Sequence, residues 1–121
     1  MTDMDRIARE NNAIIIYPQG FGDSWNFRAC CDPAREEGID DFGFIRTLAL
    51  QTIDNFPIDS DRVYSTGWSN GCAMSQALAN EESDLITAVA CMSMYFSAKR
   101  QFKSSRNIKN IVFFTVLFWI C

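Results

Sequence analysis

The feature that most constrains this chain is the run Gly67-Trp68-Ser69-Asn70-Gly71, set between two segments of different character. Upstream, Arg62 to Thr66 is a short strand candidate containing Val63, Tyr64 and Thr66. Downstream, Cys72 to Ala79 reads as a helix with Ala73, Met74, Ala77 and Leu78 turned inward. A strand that becomes a helix within five residues requires a sharp turn. Glycine at 67 and 71 removes side chains that would collide across it. Ser69, at the apex, is forced into strained backbone angles with its hydroxyl standing proud of the strand. A Gly-x-Ser-x-Gly match alone is weak evidence, and the strand before it and the helix after it are what give it weight. Such a helix aims its first N–H groups at the serine, where they favour a developing oxyanion. The backbone N–H of Asn70 is the expected donor.

The rest of the chain extends this pattern. Residues 3–11 read as a helix, with Met4, Ile7 and Ala8 on one face, ended by Asn11 and Asn12. Residues 13–17, Ala-Ile-Ile-Ile-Tyr, predict a strand buried on both faces of a parallel sheet, stopped by Pro18 and Gly20. Residues 18–39 have no clear period, and a loop this long is usually functional or held by specific contacts. Asp40 or Asp41 caps a helix through about Phe56, with Phe42, Ile45, Leu48, Ala49, Ile53 and Phe56 on one face. Ile86 to Met92 reads as a third buried strand. The order is that of an α/β fold: a parallel sheet of about three strands with flanking helices. Residues 1–96 carry the pattern. Residues 97–121 depart from it, with five bases and no acid between Ser97 and Asn110 and an uncharged run from Ile111 to Cys121.

Composition excludes several functions. The net charge of −4 leaves no basic stripe for phosphates, so no nucleic-acid partner is expected. There is no histidine in the 121 residues, so the usual base for a serine nucleophile is not in this chain. With no histidine and no Cys-x-x-Cys pair, no metal site and no cofactor are expected. The five cysteines, Cys30, Cys31, Cys72, Cys91 and Cys121, leave at least one unpaired within a chain. They read as small buried hydrophobes, or as disulfides to distant partners, since adjacent Cys30 and Cys31 would strain the backbone by bridging each other. The N-terminal residues do not form a signal peptide. The C-terminal apolar run is too short for a membrane helix, and reads as a buried strand, a short helix or sequence foreign to the domain. A solvated linker is the reading of 97–110, with a membrane-surface role as the alternative.

Several motifs in the same order point to one family. They are Ala13 to Gly20, Ser24-Trp25-Asn26, Ala29-Cys30-Cys31, Asp40 to Ile45, and Pro57 through Gly71. Together, over about residues 4–93, they resemble the polyhydroxybutyrate depolymerase-like and feruloyl-esterase-like family. The resemblance implies an α/β-hydrolase fold, present here in part, and an extracellular serine esterase. It implies ester substrates: polyhydroxyalkanoates, or feruloylated or acetylated plant polysaccharide. It matches Ser69 to the nucleophile, Asn70 to the oxyanion neighbour, Gly67, Trp68 and Gly71 to the elbow, and Trp25, Cys30 and Cys31 to a loop near the site. Trp25 serves packing or substrate; Asp40 and Asp41 read as helix caps.

The chain also departs from that family. Cys72 stands where a small residue, often glycine, is usual; its thiol bonds with Cys30 or Cys31, or packs. The family's His-Gly strand segment upstream, and its acid and histidine downstream, have no counterparts. Asp84 follows the motif helix but sits at that helix's far end. The expectation is a truncated product, inactive as it stands, with Met1 an internal methionine. The apolar tail at Val112–Leu117 is a candidate to fill the place of the missing strand. The alternatives are a non-catalytic remnant or binding module on an esterase scaffold, and a small membrane-associated protein acting through its tail. The sequence does not specify an oligomeric state.

Overall fold

A computed structural model describes residues 3–92. The elements are α1 (Met4–Glu10), a short 3-10 turn (Phe21–Asp23), α2 (Asp41–Asn55), β1 (Tyr64–Trp68), α3 (Asn70–Glu81) and β2 (Ala88–Met92). The basic segment, the apolar tail with its Val112–Leu117 strand candidate, and Cys121 lie outside the described residues. Among the described residues, no helix is long and apolar enough to cross a membrane.

β1, α3 and β2 form one βαβ unit. The strands are parallel, in register from Tyr64 opposite Ala88 to Trp68 opposite Met92. The ladder continues at both ends. The Thr87 N–H donates to the Val63 carbonyl at 2.7 Å, and the Ser69 N–H to the Met92 carbonyl at 3.2 Å. This is an α/β arrangement, partial in extent. The strand before the elbow begins at Tyr64 and takes in Gly67 and Trp68, two residues beyond the expected end at Thr66. The helix after it is longer than expected at both ends.

The core lies between the sheet and the two longer helices. It holds Phe42 and Ile45 of α2, Ala73, Met74 and Leu78 of α3, and Val63, Leu85 and Ile86 beside the strands, with Trp25 and Phe27 entering from the long loop. Inward placement of Ala73, Met74 and Leu78 follows from helical spacing, and Ala77 packs against the same cluster from the rim. Arg46 of α2 ties the far end of α3 into place through ion pairs to Glu82 and Asp84. The Asp84 and Glu82 hydrogen bonds raise the Arg46 pKa further above its ordinary value.

Three expectations give way here. Residues 13–17 are not a strand: the sheet among the described residues has two strands, β1 and β2. The β-branched run supplies apolar surface, but a strand also needs a neighbour to take its N–H and C=O groups. Ile16 and Pro18 pack instead, lining an apolar cavity of about 50 Å³ with Ile45, Val63, Tyr64 and Ile86. Phe56 is not on the buried face of α2. It is the C-cap with extended backbone, 53% exposed, because Pro57 breaks the helix before another turn can bring it inward. In α1, Ala8 alone is buried and Ile7 points outward at 36% exposure.

Candidate active site

Ser69 sits between β1 and α3 as the N-cap of α3, with φ 50° and ψ −118°. These are angles a residue with a side chain rarely adopts, held only where the surroundings over-determine them. The surroundings are visible. A Cβ on Gly67 would run into the Gly71 carbonyl group and come within 2.7 Å of the Cys72 nitrogen. The strand and the first turn of the helix are therefore in contact, and the chain has no room to reverse except sharply. Ser69 is half-buried, and Trp68 beside it is 40% exposed. The Ser69 carbonyl accepts from Ala73 at 3.1 Å, the first helical bond. The N–H groups of Asn70, Gly71 and Cys72 precede that bond and have no acceptor within the helix. They mark where negative charge on an oxygen bound at Ser69 would be stabilised.

The side chain of Asn70 performs a second task that its place in the motif did not disclose. Its Oδ1 accepts from the Trp25 N–H at 2.7 Å, and its Nδ2 donates to the Trp25 carbonyl at 3.0 Å. One amide thus closes both backbone groups of a residue 45 positions away. Trp25 is fully buried, in the core and stacked on Phe44 with ring centroids 6.3 Å apart. The structure gives Trp25 a packing role and makes it the anchor of the 18–39 loop.

Two further residues hold that loop. Asp41 is 2% exposed and accepts from the Asn26 N–H at 2.7 Å. Burial pushes its carboxyl up, the Asn26 hydrogen bond pulls it down, and Asp40 pushes it up again; the net direction is up. Arg28 lies over the Phe42 ring, 4.7 Å from its centroid, and pairs with Glu81 at 3.3 Å. Of the two expected caps, Asp40 is the cap, its carboxylate accepting from the Gly43 N–H at 3.0 Å. Asp41 is instead a buried loop anchor. Sequence reasoning missed it because two adjacent aspartates before a helix look alike until one is seen buried.

The cysteines depart from expectation. Cys30 is paired with its neighbour Cys31, with Cα atoms 3.1 Å apart, and both pack against the core. Cys72 is paired with Cys91, with Cα atoms 4.9 Å apart, and not with Cys30 or Cys31. The reason is register: Cys91 stands opposite Gly67, the residue on which the first turn of α3 rests.

Asp84 is engaged away from the serine. Both its oxygens bond Arg46, at 3.1 and 2.7 Å. It follows the far end of a 12-residue helix, about 18 Å of helix axis from Ser69. Among the described residues, no hydrogen bond reaches the Ser69 hydroxyl.

Comparison with known proteins gives the site a context. The chain is 29% identical over 89 residues to feruloyl esterase B of Piromyces equi, covering 70% of this chain and 16% of that protein. It is 29% identical over 97 residues to acetylxylan esterase of Coprinopsis cinerea, covering 71% and 26%. It is 30% identical over 94 residues to feruloyl esterase B of Thermothelomyces thermophilus, covering 76% and 32%. The resemblance is thus to carboxylic ester hydrolases, and the chain spans a third or less of the length of these curated relatives. No family model and no solved structure matches it.

Proposed function

We propose that Ser69 is the nucleophile of a carboxylic-ester hydrolase whose general base is not among these 121 residues. The observation that carries this reading is the backbone of Ser69, held at φ 50° between a parallel strand and the N-terminus of α3. The serine hydroxyl attacks the ester carbonyl, and the negative charge on the carbonyl oxygen falls where the Asn70 N–H lies. Without a base to take its proton, the hydroxyl is a poor nucleophile at neutral pH. The chain has no histidine, so it is inactive alone.

The substrate is an ester of plant polysaccharide, feruloyl or acetyl. The names of the similar proteins favour it over the polyhydroxyalkanoate of the wider resemblance. An extracellular setting belongs to this reading, supported by two cysteine pairs of a kind that persists in oxidising compartments. A non-catalytic module on the same scaffold is the second reading, and the missing histidine favours it. A longer form that adds a histidine-bearing segment separates the two. It should hydrolyse methyl ferulate or acetylated xylan, and Ser69→Ala should lower the rate by at least about 10³-fold. A longer form that folds and has no Ser69-dependent turnover supports the module.

A further inference from the structure

Two sulfur atoms lie behind the turn that carries Ser69, and the ester chemistry uses neither. Side chains alternate across a strand, so Ser65 and Gly67 share one face of β1, and their ladder partners Val89 and Cys91 share the same face of β2. That face meets α3: the Ser65 and Ser75 hydroxyls are 2.8 Å apart. Gly67 has no side chain to hold the helix off, so Cys72, the third residue of α3, reaches Cys91. The pair ties the first turn of α3 to the end of β2.

The two sulfurs are unequal. Cys72 is fully buried, whereas Cys91 is half-buried. Cys72 sits in the first turn of a 12-residue helix, and the Gln76 side-chain N–H donates to its Sγ at 3.4 Å. In thiol–disulfide exchange a thiolate attacks one sulfur and the other departs, fastest when the attacked sulfur is accessible and the departing thiolate is stabilised. Here Cys91 is the less buried of the two residues. Cys72 would depart within the first turn of α3, where the helix dipole favours negative charge, with the Gln76 side-chain N–H as a donor.

We infer that Cys72–Cys91 is a thiol-exchange site for a low-molecular-weight thiol. The incoming thiolate attacks the Cys91 Sγ. A mixed disulfide forms there, and the Cys72–Cys91 bond breaks with its electron pair going to the Cys72 sulfur. A second thiolate then attacks the sulfur of the bound thiol. The oxidised thiol dimer leaves, and Cys91 remains as a thiolate that takes up a proton from water. Two consequences follow at the elbow. The tether from α3 to β2 is lost, and a negative charge is added within the first turn of α3, the turn whose N–H groups would stabilise an oxyanion at Ser69. The second consequence rests on the ester-hydrolase reading of Ser69; the exchange does not.

The test treats the 121-residue chain with reduced glutathione and follows it by peptide mass spectrometry and hydrogen exchange. The expected result is a mixed disulfide on Cys91 and not on Cys72. Amide exchange across Gly67–Ala73 rises at least tenfold, with α2 unchanged. The C72S/C91S double variant exchanges fast from the start and does not respond. The C30S/C31S variant responds like the parent, which sets the other cysteine pair aside. Ser69→Ala also responds, so loss of the nucleophile reading leaves this result standing. Adducts on Cys72, alkylation of both cysteines by iodoacetamide before any thiol is added, or unchanged exchange at 67–73 in the parent would each overturn the inference. The parent titration decides the matter even where the double variant does not fold.

Discussion

Ser69 and Asn70 are adjacent, and the fold asks different things of them. The positive φ of Ser69 costs of order 1–3 kcal/mol for a residue with a side chain. Glycine adopts such angles freely, at an entropic cost of roughly 0.5–1 kcal/mol. Ser69→Gly is therefore expected to be more stable than Ser69→Ala by about 1 kcal/mol, read from urea midpoints at constant m. A glycine variant no more stable than the alanine variant would mean the turn is unstrained. Asn70 carries both backbone groups of Trp25. Truncation to Asn70→Ala leaves the buried Trp25 N–H unmet, at about 1–3 kcal/mol before any relaxation, while the Trp25 carbonyl keeps the Cys31 N–H at 3.1 Å. The amides of Trp25 and Asn26 should exchange faster, while those of β2 hold. The motif announced the serine, but nothing local announced the amide clamp, because its partner is 45 residues away.

At the scale of elements, α2 is both a wall of the core and the clamp of the long loop. Asp41 joins these roles, and its carboxyl is pushed up by burial. An acid whose pKa is raised on folding binds its proton more tightly in the folded chain. Its contribution to stability is therefore largest at low pH and falls as pH rises from the ordinary value of 3.8 through the raised one. Asp41→Asn keeps an oxygen for the Asn26 N–H and removes the titration. The stability difference between variant and parent should thus shift in the variant's favour as pH rises through that window, followed by denaturation at a series of pH values. A difference that is flat, or that shifts the other way, would show that burial does not set the Asp41 carboxyl. The elements themselves were unequally legible. The helices could be read because period and caps are local: Asp40 caps α2, and the inward face of α3 follows its spacing. The runs 13–17 and 63–66 look alike in sequence, yet only the second is in a ladder. Pairing depends on what stands alongside, which no run of residues encodes by itself.

For the whole molecule, the described structure is one βαβ unit with two further helices, α1 and α2, and a loop beside it. Its contacts converge on the elbow. Asn70 holds the loop, the Ser69 N–H meets β2, Gly67 seats the helix and Cys72 meets Cys91. The cysteine pairing was legible only after the register was known, since it depends on which face of β2 Cys91 occupies. Against this built turn stands a plain fact of composition: no histidine in 121 residues. In the proposed reading Ser69 is a nucleophile in place whose base is not among these residues. Hydrolysis of p-nitrophenyl acetate by the 121-residue chain tests it most directly, measured beside Ser69→Ala at neutral pH. Equal rates for the two are the expected result. Turnover by the parent chain that disappears in Ser69→Ala would contradict the account, because Ser69 would then be activated without a histidine.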